Sequence, residues 1–268
     1  METWEEAVLW LRSQPDQQAL VRAAYFDDPL LEAARRYYGS SEWAAVRALL
    51  PSPPGEALDL GAGRGIVSGA LAWDGWSVTA LEPDPSDIVG SGAIRSLVRD
   101  ADLPIQILSD WGESLPFPDG SFDMVICRQV LHHAKDLQAL CGEVHRVLRP
   151  GGRMFALREH VISRPSDIKA FFRLHPLHHR YGGEHAYTLK EYLRAIRRAG
   201  FEIDEVMNPF GSEINTSPET IPDLQKRIAA RLRVPSWVIS RSALLMIGSL
   251  INTPGRLYSF VARKKPDA

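Results

Sequence analysis

Apolar residues return at helical spacing through the first fifty positions: Val8, Leu9 and Leu11, then Ala19, Leu20 and Ala23, then Leu30, Leu31 and Ala34. Pro15, Pro29 and Gly39 separate these groups, so residues 3–50 predict three helical pieces. Pro51, Pro53, Pro54 and Gly55 then break the chain. Beyond the break the periodicity changes. Short, apolar-rich runs predict strands at Ala57–Leu60, Trp76–Leu81, Ile105–Leu108, Phe122–Cys127, Arg153–Leu157, Phe201–Met207 and Arg256–Ala262. Between them, stretches with one apolar face predict helices at Ile66–Trp73, Ile94–Asp100, Leu137–Leu148 and Lys190–Ala199. Pro150-Gly151-Gly152 stops the third of these and Gly200 closes the fourth.

Apolar strands alternating with amphipathic helices predict an α/β fold, a doubly wound sheet of seven strands, mostly parallel and covered on both faces. Residues 1–50 are expected to form a helical N-terminal cap, and 51–268 one sheet domain. That domain carries a helical insertion at 211–252, just before the last strand. The insertion holds a basic amphipathic helix, Asp223–Arg233, and the apolar run Trp237–Ile251. Its readings are packing on its own core, a substrate lid, a homodimer interface or a membrane-surface contact. Ligands of such sheets bind beyond the carboxyl ends of the strands, where the strand order reverses. Residues that directly follow strands are therefore the candidates for chemistry.

Composition narrows the function classes. Lys plus Arg total 31 and Asp plus Glu total 33, a formal charge of -2, so the basic excess expected of a nucleic-acid binder is missing. The two cysteines, Cys127 and Cys141, do not make a disulfide framework and suit a reducing, cytoplasmic setting. The first residues lack the basic-then-apolar pattern of a secretory signal. Ser240, Arg241, Ser242 and Ser249 interrupt the nearest approach to the ~18 apolar residues of a membrane span, so no integral membrane segment is expected.

The sharpest motif is Asp59-Leu60-Gly61-Ala62-Gly63-Arg64-Gly65, between the first strand and the helix after it. Its glycines permit a tight turn and close approach of a ligand. Glu82, in Ala80-Leu81-Glu82-Pro83-Asp84, ends the next strand, where a carboxylate can accept hydrogen bonds from both ribose hydroxyls of an adenosine. Dinucleotides and S-adenosylmethionine both use this layout. A dinucleotide fingerprint wants glycine where Ile66 stands, and the Tyr-x-x-x-Lys pair of short-chain dehydrogenases is absent. An NAD-dependent oxidoreductase is thus the weaker alternative, beside a non-catalytic cofactor-binding regulator.

The D-x-G-x-G-x-G pattern resembles the first motif of class I S-adenosylmethionine-dependent methyltransferases. Leu115-Pro116-Phe117-Pro118-Asp119-Gly120-Ser121-Phe122-Asp123, Val130-Leu131-His132-His133 and Arg146-Val147-Leu148-Arg149-Pro150-Gly151-Gly152 extend the resemblance. They are similar to the type 11 methyltransferases, the group that includes the ubiquinone and menaquinone enzymes, and the similarity covers about residues 55–208. The resemblance implies a Rossmann-like methyltransferase fold and S-adenosyl-L-methionine as cofactor. It implies that Gly61, Ala62, Gly63 and Gly65 line the methionine and ribose part and that Asp59 holds the amino group. Glu82 and Pro83 would then meet the ribose. Adenine falls to Asp110-Trp111-Gly112, where Trp111 stands at the expected Asp. Either Asp110 serves through a shifted register, or Trp111 covers the ring while a backbone group reads its edge. Arg128 could pair with the methionine carboxylate, and an N-terminal aromatic such as Tyr38 could reach the methionine end.

The acceptor side is read from the histidines. His133, with His160 and Glu159 after the fifth strand, are the expected catalytic residues: histidine is the natural base for a hydroxyl, and Glu159 could orient His160. His132, His178, His179, Tyr181 and His185 are expected to contact substrate. The histidine spacing matches no zinc signature and no metal is expected. The expected activity is methyl transfer to a small molecule, with oxygen favoured over nitrogen or carbon.

Overall fold

The structure, a computed structural model, describes residues 2–266. Eight strands form one sheet: β1 (Glu56–Leu60), β2 (Ser77–Leu81), β3 (Ile105–Leu108), β4 (Phe122–Arg128), β5 (Leu148–Ile162), β6 (Tyr187–Thr188), β7 (Phe201–Met207) and β8 (Arg256–Lys264). Their order is β3-β2-β1-β4-β5-β8-β7, with the two-residue β6 lying against β5. The pairs from β3 to β5 are parallel, and β8 runs antiparallel to both β5 and β7. The mostly parallel, doubly wound sheet expected from the sequence is present. It has one more strand than the seven expected, because β6 is too short to leave an apolar run. The strand expected at Arg153–Leu157 is also much longer, running from Leu148 to Ile162.

Local signals set the helices between the strands. Gly65, with φ +77, opens the helix Ile66–Trp73 in the left-handed conformation that glycine tolerates. Asp136 accepts from the amides of Gln138 and Ala139 to start Leu137–Val147. Thr188 and Glu191 close a capping box at the head of Leu189–Arg198. The last two helices cover one face of the sheet, where Leu140, Val144, Tyr192 and Ile196 are buried. The other face is covered by Ile66–Trp73 and Ser91–Ala101, through Val67, Leu71, Ile94 and Leu97.

The first fifty residues do not form one cap. The helices Leu30–Tyr38 and Ser41–Arg47 belong to the second sheet face: Tyr37, Trp43 and Val46 are fully buried in the same core as β1. The boundary expected at residue 50 therefore does not separate two cores. Only the helices Trp4–Ser13 and Gln18–Ala23 stand over the carboxyl edge of the sheet. There Ala7, Val8, Leu11 and Val21 make a small satellite core with Val89 and Leu177. The insertion folds as the short helices Glu213–Thr216, Ile221–Leu232 and Arg241–Leu250 around Leu224, Ile239 and Leu244. Among the described residues no helix is long and apolar enough to cross a membrane.

Candidate active site

One cavity of about 1160 Å³ opens at the carboxyl ends of β1, β2 and β4, where the strand order reverses. Single ligands usually occupy roughly 300–1,000 Å³, so there is room for two molecules side by side. Asp59, Gly61, Ala62, Gly63, Glu82, Pro83, Asp110, Trp111 and Gly112 all line it. Gly61 has φ +68, and a Cβ there would fall 2.7 Å from Val130 Cγ2. A side chain at that position would close the cradle as well as strain the backbone. Gly65 lies apart from these glycines. It is buried against Ile94 and acts as the turn into the helix, not as cavity wall.

The floor carries two buried carboxylates. Glu82 accepts from the amide of Gly63 at 2.7 Å through Oε2 and from that of Asp84 at 2.9 Å through Oε1. These bonds fix the carboxylate against the loop while leaving lone pairs for a ligand diol. Burial raises its pKa above the ordinary value. Asp59 accepts from the Ser68 hydroxyl at 2.5 Å. Burial pushes its pKa up to about 7, against the Ser68 hydrogen bond and with the help of the Glu82 charge. The buried Asp59 carboxylate, which gains from a cationic partner, the Glu82 carboxylate and the glycine cradle fit the ammonium and ribose of an adenosyl amino acid. Trp111, 68% exposed, stands at the mouth and is not core packing. Asp110 accepts from the Trp111 amide at 2.8 Å and so shapes that turn.

Arg128 reaches the cavity edge, but its guanidinium is engaged. It donates to both oxygens of Glu42, Nε at 2.7 Å and Nη2 at 3.1 Å, with Arg158 at 3.6 Å from the same carboxylate. Burial opposes charge on Glu42, and the two guanidiniums overcome it, holding its pKa below the ordinary value. Burial likewise opposes the Arg128 charge, and Glu42 more than restores it. The expected pairing of Arg128 with a methionine carboxylate is replaced by this internal bidentate bridge. Tyr38 is also displaced from its expected place. Its hydroxyl donates to Asp74 at 2.9 Å and its ring packs on Trp73 and under Arg47, on the outer side of the helix layer. The N-terminal aromatic residues that do line the cavity are Trp4, Tyr25 and Phe26, Tyr25 held at φ 59 in a turn.

The histidines divide sharply. His132, His133 and His160 line the cavity together with His175, Tyr181 and Glu184. His132 is buried. Its Nδ1 meets Glu159 at 2.7 Å and its Nε2 lies 3.5 Å from Glu184. Burial disfavours its charge, yet the Glu159 hydrogen bond and the nearby carboxylates of Glu159 and Glu184 push its pKa up to about 9. His160 has its Nδ1 at 3.0 Å from the Gly255 carbonyl. Burial, aided by the charge on His132, lowers its pKa to about 3. His133 has one side open to the cavity and its Nδ1 at 3.1 Å from the Gly183 carbonyl. The protein around its ring and the His132 charge lower its pKa below the ordinary value.

Glu159 is not at the cavity and does not orient His160. Fully buried beneath, it accepts from the amides of Val130, Leu131 and His132 and holds the His132 ring. It is a positioning residue. His178 stacks on Phe172 at 3.8 Å, His179 meets the edge of Trp10, and His185 packs on Tyr187; none of the three is cavity wall. They lie on the outer side of the connection that brings Tyr181 and Glu184 inward. No residue of 211–252 lines the cavity among the described residues. The roof comes instead from the first two helices and the connection 175–184. Trp4 and Tyr181 rings meet at 4.6 Å there, and Leu11, Leu20 and Leu177 present an apolar wall. Sequence reasoning missed Glu184, His175, Tyr25 and Glu42.

The family model described as "Methyltransferase domain" matches residues 58–156, from β1 to β5. The ubiquinone biosynthesis O-methyltransferase of Xanthomonas campestris pv. campestris is 34% identical over 116 residues, 42% of this chain and 46% of that protein. The protein of the same description from Xylella fastidiosa is 29% identical over 171 residues, 59% of this chain and 65% of its own length. The chain thus matches between about half and two thirds of these curated relatives. Among solved structures, a geranyl diphosphate methyltransferase in complex with SAM superposes with a TM-score of 0.60 at 16% identity, covering 90% of this chain and 94% of that one. The [4+2]-cyclase SpnF gives 0.58 at 22%, covering 88% and 82%. The strand order and the glycine cradle with its two buried acids accord with that match: residues 58–156 are similar to the methyltransferase-domain family, on a sheet that shares its fold with solved methyltransferase structures.

Proposed function

We propose that the protein transfers a methyl group from S-adenosylmethionine to an oxygen of a small, partly apolar molecule. The observation that carries this reading is the division of one cavity into a floor and a roof. The floor offers glycines, Asp59 and Glu82; the roof offers Leu11, Leu20, Leu177 and a group of imidazoles. S-adenosylmethionine, when bound, supplies an activated methyl on a sulfonium. What the chain must add is alignment, exclusion of water and a place for the acceptor proton.

Asp59 and Glu82 hold the cofactor by its charged and polar ends, so its reactive end is directed toward the roof. His133 is the residue we assign as base: it faces the cavity, and with Nδ1 on the Gly183 carbonyl its Nε2 remains to accept a proton from the acceptor hydroxyl. Oxygen as the target also accords with the names of the relatives. The small-molecule class rests on the enclosed, apolar roof and on the absence of a basic excess in the chain.

The fold also hosts other chemistry, as the cyclase neighbour illustrates, so binding and turnover need separate readouts. The test is incubation with methyl-labelled cofactor and a metabolite extract, followed by mass spectrometry of the labelled products. His133→Ala should lower turnover on the acceptor so found by about a hundredfold, with S-adenosylhomocysteine affinity unchanged. A labelled product formed at the wild-type rate by the variant removes His133 as base. Cofactor binding without any labelled product overturns the methyl-transfer reading.

A further inference from the structure

Methyl transfer as proposed uses the floor of the cavity and His133, and leaves a compact group at the roof unused. His132, His160 and Glu184 each place a donor atom so that the three atoms lie within 4.8 Å of one another. We propose that these three side chains bind one divalent transition-metal ion of the zinc class, with an open coordination position facing the cavity.

The two imidazoles are held as metal ligands are held. A metal-binding histidine usually has its other nitrogen tied to a carboxylate or a backbone carbonyl, which fixes the tautomer and aims the free lone pair. His132 has Nδ1 on Glu159 at 2.7 Å, and His160 has Nδ1 on the Gly255 carbonyl at 3.0 Å. In both rings Nε2 is the nitrogen left to donate. Glu159 in turn is fixed by three backbone amides, so the His132 ring has little freedom.

The carboxylate is incompletely partnered. Glu184 is 7% exposed; the Tyr181 hydroxyl donates to its Oε1, and its Oε2 has no hydrogen-bond partner. An unpaired buried carboxylate oxygen is costly. The nearest basic atom is His132 Nε2 at 3.5 Å. A charge-assisted hydrogen bond closes to about 2.7–2.9 Å. Two ligands of a tetrahedral zinc, with bonds of about 2.0–2.2 Å, stand roughly 3.3–3.5 Å apart. The gap is that of a shared ion rather than of a direct bond. His175, with Nδ1 accepting from the Leu177 amide, turns Nε2–H toward Glu184 Oε1 at 3.6 Å and helps orient the carboxylate.

The donor set selects the kind of ion. Two imidazoles and one carboxylate are a poor site for calcium or magnesium, which take oxygen ligands, and a good one for zinc or ferrous iron. A proton on His132 Nε2 is the competitor and leaves when the ion binds. Three protein ligands leave room for a further one. A hydroxyl of the acceptor there would be oriented and made more acidic. That last consequence rests on the methyltransferase reading; the binding of the ion does not.

The protein, stripped with a chelator and dialysed, is titrated with cobalt(II), whose visible absorption reports the coordination sphere. One equivalent should bind and develop low-symmetry d–d bands. Glu184→Gln and His160→Gln should each weaken binding on the order of a hundredfold and alter the spectrum. S-adenosylhomocysteine is titrated into the same samples. Cofactor binding with no stoichiometric cobalt uptake overturns the metal site and leaves the proposed function standing. Loss of cofactor binding in the wild type overturns the proposed function whatever cobalt does. Uptake that neither variant changes assigns the cobalt to surface histidines and also overturns the site.

Discussion

The carboxyl of Asp59 should make cofactor affinity depend on pH in a way that can be worked out. Its pKa in the folded protein is about 7, raised from 3.8 chiefly by burial. If the ionised form is what binds the ligand ammonium, affinity follows the ionised fraction: about one in a hundred at pH 5 and about half at pH 7. S-adenosylhomocysteine should therefore bind roughly fiftyfold more tightly at pH 7 than at pH 5, about 2.3 kcal/mol. The same shift has the opposite sign for stability. The unfolded chain releases this proton first, so the ligand-free protein loses stability as pH rises from about 4 to about 7, by on the order of 4 kcal/mol. Asp59→Asn, which keeps an acceptor for the Ser68 hydroxyl, should flatten the affinity profile, weaken binding at pH 7 and raise the melting temperature of the free protein at pH 8. Titration calorimetry from pH 5 to pH 7, in buffers of matched ionic strength, is the assay. A flat profile in the wild type, or the same slope in Asp59→Asn, would refute the reasoning.

Other perturbations probe the site from different sides. Glu82→Ala removes an acceptor for the ribose and strands the Gly63 amide; at about 1.5 kcal/mol for each of two hydrogen bonds to a charged group, calorimetry should find S-adenosylhomocysteine affinity down roughly a hundredfold. Glu42→Ala leaves Arg128 and Arg158 buried without their shared carboxylate, and urea denaturation should show a loss of about 3–5 kcal/mol. Gly61→Ala meets Val130 at a positive φ and should cost about 1–3 kcal/mol, together with cofactor affinity. Its control is Gly142→Ala, on the helix Leu137–Val147, where a new Cβ meets nothing within 4 Å and melting should rise by the equivalent of about 0.5–1 kcal/mol.

The sheet was legible because its central strands β1, β2 and β4 are almost wholly buried and read as largely apolar runs between amphipathic helices. The cofactor floor was legible because Asp59, the glycine loop and Glu82 are fixed by their place after β1 and β2. What sequence periodicity could not supply was pairing at a distance. Glu42 lies 86 residues from Arg128, on a helix whose apolar face gave no hint that one carboxylate pointed inward. Tyr38 sits beside a buried Tyr37, and a shift of one position along a helix turns a side chain through about 100°, from the core to the outer layer. The connection 175–185 has no period at all, so nothing separated the inward Tyr181 and Glu184 from His178, His179 and His185. Glu159 followed a strand, as site residues do. However, the alternation of side chains along β5 aimed it beneath the cavity rather than into it.

The roof has a kinetic consequence. It is held by the satellite core of Ala7, Val8, Leu11 and Val21 with Val89 and Leu177, together with the Trp4–Tyr181 contact, and shares little with the two cores of the sheet. So small a cluster opens at lower free energy than the strands beneath, and the amides of Trp4–Ser13 should exchange with solvent well before those of β1 and β4. Parting of that cluster widens the cavity beyond the mouth at Trp111. A spent ligand that leaves through this widening should dwell longer in a more viscous solvent, because its exit follows the unpacking of a few aliphatic side chains.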